Sequence, residues 1–165
     1  MKNKVFFIAE ISANHCGNFI LAKKLIKCAY VNGADAVKLQ TYTADTMTIN
    51  SNKKYFKIKK GLWKGYNLWD LYNKAHTPLN WHKELFKYGK SLGIKVFSTP
   101  FDYTAVDFLE KLNCPIYKIA SFEMTDLNLV KKVSKTKKPM IISTGMANLK
   151  EIETTVNTAR KYGAK

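Results

Sequence analysis

The sequence predicts an α/β fold with a parallel sheet, and three observations carry that expectation. Short apolar runs alternate with amphipathic stretches about five times along the chain, the order of β-α units joined by right-handed crossovers. The apolar runs end in chemistry: Glu10, Gln40, Thr99, Ser121 and Ser143 stand at or just past their carboxyl ends. In a doubly wound open sheet such groups gather at one switch point, whereas in a (β/α)8 TIM barrel the ends of many strands converge on one face. Polar groups at all five ends therefore favour the barrel. The absence of G-x-G-x-x-G and of G-x-x-x-x-G-K-[ST] weakens the nucleotide-binding open sheet. A complete barrel takes about 250 residues. The 165 residues are therefore expected to form a partial barrel, its first five β-α units.

Each element has its own signal. The first strand is read over Val5 to Glu10. Asn18 then caps a helix from Phe19 to about Asn32, with Leu21, Ala22, Leu25, Ile26, Ala29 and Tyr30 as its apolar stripe and Gly33 as its stop. Strand two spans Asp35 to Gln40. A polar, basic excursion from Thr41 to about Tyr66 reads as a loop or lid, followed by helices at Leu68 to Lys74 and Asn80 to Leu92, the latter stopped by Gly93. Strand three is Lys95 to Thr99, broken by Pro100, and a helix from about Thr104 to Leu112 leads to strand four at Ile116 to Ala120. Thr125-Asp126 starts a short helix to about Ser134. Pro139 enters strand five, and Leu149 to Tyr162 is a last amphipathic helix stopped by Gly163. No linker or low-complexity segment divides the chain.

Composition narrows the function classes. With 46% hydrophobic and 13% aromatic residues the chain is globular rather than disordered. No apolar run is long enough for a bilayer, and the run after Met1-Lys2-Asn3-Lys4 is broken at Glu10, so neither a membrane helix nor a signal peptide is read and the expected location is cytoplasmic. Cys16, Cys28 and Cys114 are odd in number and lack ligand spacing, which argues against a disulfide frame or a zinc site. Cys28 reads as helix packing and Cys16 as a loop thiol. The net charge of +16 invites a nucleic-acid reading, but Arg160 is the only arginine among 28 basic residues. Lysine lacks the planar fork used for base-edge and bidentate phosphate recognition, so nucleic acid is not the expected partner. Lys53 to Lys60 does interleave lysines with aromatics as single-strand binders do, which keeps a polyanion-binding module as an alternative.

Lys38 and Lys118 point to a site. Each lies near the end of a strand-like run, in Ala36-Val37-Lys38-Leu39-Gln40-Thr41 and Ile116-Tyr117-Lys118-Ile119-Ala120-Ser121. An ammonium inside a buried strand is costly unless an anion meets it. Flanked by Gln40, Ser121 and Glu123, the two suggest a prepared site for a phosphorylated or carboxylated small molecule. Singly each residue has a plainer reading: the lysines as an exposed face or an internal ion pair, Glu10 as an exposed strand end, Thr99 and Ser143 as turn formers, Glu123 as a helix cap. His15, His76 and His82 share no spacing that suggests a joint metal site.

At the same strand ends the sequence resembles the sialic acid synthase family. The matching runs are Ala9-Glu10-Ile11-Ser12-Ala13-Asn14-His15, Gly33 to Thr41, Phe97-Ser98-Thr99-Pro100-Phe101-Asp102, Tyr117-Lys118-Ile119-Ala120-Ser121-Phe122-Glu123 and Ile142-Ser143-Thr144-Gly145-Met146. Within the family it is most similar to the pseudaminic acid synthase branch, through Leu39 to Thr46, Trp63-Lys64-Gly65, Leu68-Trp69-Asp70-Leu71-Tyr72, Trp81-His82 and Pro100 to Leu109. N-acetylneuraminate and legionaminate synthases are the alternatives. Cys16, where the family commonly has asparagine, and Leu79, where the branch often has tryptophan, depart from the pattern.

The resemblance implies a TIM-barrel enzyme that condenses phosphoenolpyruvate with an acetamido sugar, a 2,4-diacetamido-2,4,6-trideoxy hexose of the altrose type, and releases phosphate. It implies Glu10, Lys38 and Lys118 as catalytic residues, with Glu10 near the reacting carbons and the lysines holding the anion. Thr99, Ser121 and Ser143 would donate hydrogen bonds to that anion, Gln40 would line the floor, and Glu123 would bind the sugar. A divalent metal, Mn2+ or Mg2+, is implied for the intact homodimeric enzyme, with histidine ligands on later strands. The missing barrel units and a C-terminal antifreeze-like domain are implied to lie outside residues 1–165, so that this chain alone is expected to be an inactive fragment. A truncated remnant is the remaining alternative.

Overall fold

A computed structural model describes residues 5–164. Five strands, β1 (Ile8–Glu10), β2 (Ala36–Thr41), β3 (Lys95–Pro100), β4 (Tyr117–Ile119) and β5 (Met140–Ile142), form one sheet in the order β1-β2-β3-β4-β5, every neighbouring pair parallel. The helices are α1 (Phe19–Val31), α2 (Ala44–Met47), α3 (Leu68–Ala75), α4 (Leu79–Leu92), α5 (Tyr103–Lys111), α6 (Leu127–Ser134) and α7 (Leu149–Lys161). Sequential parallel order is barrel order; the chain is a half-barrel.

Local chemistry sets the helix starts. The Asn18 side chain accepts from Leu21 N at 2.9 Å, Asp102 accepts from Thr104 N and Ala105 N, Asp126 from Asn128 N and Leu129 N, and Asn148 forms a reciprocal capping box with Glu151. α4 ends on Gly93 at φ +85°, a left-handed cap that glycine adopts without a Cβ clash.

Side chains alternate along each strand and sort into two faces. On the helix side, Val37, Leu39 and Val96 pack with Ala22, Ile26, Leu85 and Ile94, while Tyr117 and Ile119 pack with Val106, Leu109, Leu129 and Val133. The alternate positions carry Ile8 with Glu10, Ala36 with Lys38 and Gln40, Phe97 with Thr99, Lys118, and Ile141 with Ser143. No described helix covers this second face at its edges, where Ile8 and Ile141 are each 37% exposed.

Four sequence expectations need correction. β1 begins at Ile8 rather than Val5, because its only partner, β2, begins at Ala36; ahead of that pair the Asp35 carboxylate accepts from Phe7 N at 2.8 Å instead. Pro100 does not break β3 but closes it opposite Thr41, and Phe101 N donates to Thr41 O at 3.4 Å where proline has no hydrogen to offer. The excursion contains the short helix α2, and a Lys57–Asn67 antiparallel bridge pinches its second part. Cys28 is exposed on α1, off the stripe buried by Ala22 and Ile26.

Two buried histidines tie the Thr77-Pro78 turn between α3 and α4 to the sheet and to the loop after β1. His82 Nδ1 meets Pro78 O at 3.1 Å, and a carbonyl only accepts, so in the neutral ring Nδ1 carries the hydrogen. Nε2 then accepts from the Thr41 hydroxyl at 2.9 Å, and Thr41 Oγ1 accepts from Ser98 Oγ at 2.7 Å. His15 Nδ1 accepts from Gly17 N at 3.1 Å, which leaves its Nε2 to donate to Thr77 Oγ1 at 3.1 Å. Thr77-Pro78 is thus held from both sides.

Burial pushes the His82 imidazole down to about 4, against the opposing pull of its backbone hydrogen bonds. Between that value and 6.5 the unfolded chain binds a proton that the native chain does not, so stability rises with pH across this window and is lost on acidification. The expected slope is about 1.4 kcal/mol per pH unit for one proton. Urea unfolding at several pH values should show it, with a shallower slope in His82→Gln. Gly89→Ala is expected to destabilise by about 1–3 kcal/mol through overpacking. A Cβ there would lie 2.2 Å from Val96 Cγ2 and 3.2 Å from the Ile94 carbonyl oxygen. An unchanged urea midpoint would contradict that close approach.

Candidate active site at the carboxyl ends of the strands

Lys38 is the centre of the site. It sits on the uncovered face of β2, 8% exposed, directly opposite Glu10 of β1, with which it forms an ion pair. From the other side its Nζ donates to Thr99 Oγ1 on β3 at 3.3 Å. An ammonium has three hydrogens, and these two partners leave one for a ligand. Glu10 is held in turn: Oε1 accepts from Ser12 N at 3.0 Å, and Ser12 Oγ donates to Gln40 Oε1 at 2.7 Å. The Glu10 side chain keeps 44% exposure, so the pair opens outward rather than being sealed.

Lys118 stands on β4, half-buried, with no hydrogen bond or ion pair among the described residues. Burial holds its ammonium below the ordinary lysine range, and repulsion from Lys38 adds to the effect, while Glu10 and Glu123 oppose it. Glu123 opens the single 3-10 turn Glu123–Thr125 that follows β4; it does not cap the next helix, a role taken by Asp126. Its Oε2 is buried without a hydrogen-bond partner among the described residues. Burial raises the Glu123 carboxyl above its usual range, with Asp126 adding to the rise and its own backbone N–H and Lys118 working against it. A cation short of partners thus lies near a carboxylate short of donors.

Ser121 and Ser143 lie beyond the ends of β4 and β5. Ser143 N donates to Ile119 O at 3.0 Å, which continues the β4–β5 pairing past Ile142. Gly145 lies against Ser121, where an added Cβ would fall 2.6 Å from Ser121 Oγ. Neither hydroxyl bonds to a lysine among the described residues. Glu10, Lys38, Gln40 and Thr99 therefore form one bonded network through Ser12. Lys118 and Glu123 share its electrostatic field, and the two serines line the adjacent strand ends.

Sequence reasoning passed over Ser12 and Gly145. Ser12 takes φ 47°, a left-handed conformation unusual outside glycine, which turns its hydroxyl to Gln40 and its N–H to Glu10. Its place two residues past a strand-end carboxylate was the available signal. Among the described residues no three histidine, cysteine, aspartate or glutamate side chains gather as a metal site. His15 and His82 are committed to Thr77 and Thr41, so the residues present do not fit a divalent cation.

Lysines and hydroxyls, with carboxylates beside them, stand together at the carboxyl ends of parallel strands, where barrel enzymes build their active sites. The chain belongs to the NeuB family, whose pattern matches residues 25–165. It is 50% identical over 149 residues to the pseudaminic acid synthase of Campylobacter jejuni, covering 90% of this chain and 43% of that protein. It is 42% identical over 162 residues to the N,N'-diacetyllegionaminic acid synthase of the same organism, covering 98% of this chain and 48% of that one. Among solved structures, the N-acetylneuraminic acid (sialic acid) synthetase of Leptospira borgpetersenii, in complex with citrate, superposes with a TM-score of 0.84 at 28% identity. That match covers 98% of this chain and 52% of the other. The chain spans about half the length of the curated relatives it matches.

Since Lys118 lowers the Glu123 carboxyl and Glu123 raises the Lys118 ammonium, removal of either should shift the other. In Lys118→Met the Glu123 carboxyl is expected to titrate at higher pH than in the parent, read from its side-chain 13C shift. No movement would mean the two groups do not share a site.

Proposed function

We propose that this chain is the N-terminal part of a phosphoenolpyruvate-dependent nonulosonic acid synthase of the pseudaminic acid type. The observation that carries the reading is the buried Lys38 ammonium, held by Glu10 and Thr99 with a hydrogen to spare, beside the Lys118 ammonium, which has no hydrogen bond or ion pair among the described residues. Two cations with neighbouring hydroxyls suit a small ligand that carries both phosphate and carboxylate.

In the proposed reaction C3 of phosphoenolpyruvate attacks the aldehyde carbon of the open-chain 2,4-diacetamido-2,4,6-trideoxy hexose. Water adds at C2, and phosphate leaves as its C–O bond breaks, giving a nine-carbon nonulosonic acid. Lys38 and Lys118 hold the anionic groups, with Thr99, Ser121 and Ser143 donating to the same oxygens. Glu10, fixed by Lys38 and Ser12 N yet open to solvent, sits beside the reacting carbons where a carboxylate can orient the attacking water. The buried, undonated Oε2 of Glu123 supports a sugar-binding role, since a sugar hydroxyl would satisfy it. Gln40, fixed by Ser12, lines the floor.

Mn2+ or Mg2+ belongs to the proposal for the intact homodimer, with ligands outside these residues, and no step here is routed through it. The remaining barrel units and an antifreeze-like domain are part of the same proposal. Higher identity to the pseudaminic than to the legionaminic acid synthase of one organism supports the branch.

The test is phosphate release by the full-length protein given phosphoenolpyruvate, divalent metal and each acetamido sugar in turn. The altrose-type sugar should be turned over fastest; preference for the N-acetylneuraminate or legionaminate precursor would move the protein to the sister branch. Lys38→Ala and Lys118→Ala should each raise KM for phosphoenolpyruvate about ten- to a hundredfold, the worth of a charge-assisted hydrogen bond, with a smaller change in KM for the sugar. Unchanged phosphoenolpyruvate kinetics in both variants would remove the anion-site assignment.

A further inference from the structure

The opposite, amino-terminal end of the sheet carries a cavity that the proposed reaction does not use. It has a volume of about 600 Å3 and opens to solvent between α4, the start of β3 and the turn that follows α5. Lys83, Lys87 and Lys90 stand at i, i+4 and i+7 on α4 and so share one helix face. Lys95 begins β3, its ammonium 5.6 Å from the centre of the Phe6 ring, and Lys111 ends α5; all five residues line the same space. Lys95 lies four residues before Thr99, about 13 Å along the strand at roughly 3.3 Å per residue, so this is not the mouth built around Lys38.

Among the described residues no carboxylate lines the cavity. The acids of the neighbouring helix α5 are engaged elsewhere: Asp107 with Lys132 at 2.7 Å, and Glu110 with Lys138 at 2.5 Å and the Tyr117 hydroxyl at 2.6 Å. Among the described residues none of the five lysines forms an ion pair. Lys90 and Lys111 have a local reason to be where they are, since a cation is favoured in the last turn of a helix. Lys95 has the Phe6 ring and Lys87 has Glu84 three residues before it, but Lys83 and Lys87 are like charges at i, i+4, which oppose the helix. The floor is apolar: Phe86, half-buried, with Ile94 and Leu112 beside it. A ligand that satisfies both parts carries several negative charges on one side and a flat apolar group on the other.

We propose that this cavity binds a nucleoside di- or triphosphate, its phosphates among the five ammonium groups and its base on Phe86. The chain has no glycine-rich phosphate loop, so the phosphates are held by lysines as point charges rather than by backbone N–H groups. Both walls and the floor belong to this chain.

The experiment measures binding of a fluorescent adenosine triphosphate analogue to the full-length protein at about 0.15 M salt, where charges beyond about 8 Å are screened. Saturable binding is expected, weakened about tenfold or more by Lys87→Glu with Lys90→Glu and clearly weakened by Lys111→Ala on the other wall. Lys24→Glu with Lys27→Glu on exposed α1 makes the same change in net charge and is expected to leave affinity within about twofold, as is Lys38→Ala. Phe86→Ala should weaken the nucleotide while leaving inorganic pyrophosphate, used as competitor, unaffected. The proposal is overturned by absence of saturable binding, by equal loss in the α1 pair, or by loss in Lys38→Ala alone, which would place the anion at the strand-end mouth. Pyrophosphate competing as well as adenosine triphosphate would overturn the role given to the base.

Discussion

The burial of one ammonium group organises this molecule. An isolated charge moved out of water is penalised by far more than a folded domain's net stability, so Lys38 can lie inside a sheet only because anions and hydroxyls converge on it. β1 exists next to β2 in the register that puts Glu10 opposite Lys38, and β3 in the register that brings Thr99 within hydrogen-bond range. A slip of one residue in either strand would turn the partner to the helix side and leave the charge uncompensated. The requirement that stabilises the register is also the one that builds the site.

The two faces of the sheet solve opposite problems. The helix side is packed with aliphatic side chains and closes its few polar groups into complete chains, as in Ser98–Thr41–His82–Pro78, where each donor has one acceptor. Among the described residues the inner side leaves groups incomplete: a spare hydrogen on Lys38, a Lys118 without a hydrogen bond or ion pair, an undonated Glu123 oxygen. Natural sheets rarely tolerate unsatisfied buried polar atoms, and their concentration at one set of strand ends is what supports the proposed ligand site. The His82 chain reaches the site indirectly, because Thr41 adjoins Gln40 at the end of β2 and fixes the backbone from which Gln40 meets Ser12.

Family membership and site geometry bear on different levels of function. The relatives share half or fewer of the aligned residues with this chain, and Trp63, in the long segment between β2 and α3, and Trp69, in α3, are among the residues through which it resembles the pseudaminic acid synthase branch. The contacts that hold that segment include the Lys57–Asn67 bridge, the Trp69 indole on Asp45 at 2.8 Å and Asn67 on Ser51 O at 2.7 Å. Loops at the carboxyl ends of barrel strands vary more than the sheet that carries them.

The sequence by itself determined the elements and their order. Apolar runs, Asn and Asp caps and glycine stops depend on residues within one or two turns of each other, and periodicity reads such local signals directly. It also placed Glu10, Lys38, Thr99 and Lys118 at strand ends, because side-chain alternation is a property of a single strand. What it could not decide was pairing. The shortening of β1 to Ile8 follows from where β2 begins; the retention of Pro100 follows from Thr41 opposite it; the exposure of Cys28 follows from which stripe of α1 meets α4. Ser12 stands two residues past a strand-end carboxylate, but its bond to Gln40 depends on a left-handed turn and on the pairing of β1 with β2, and the lysines of α4 met Lys95 and Lys111 only when two helices packed beside one strand. Contacts between residues far apart in sequence are set by the free energy of the whole packed sheet, so tertiary structure alone decided them.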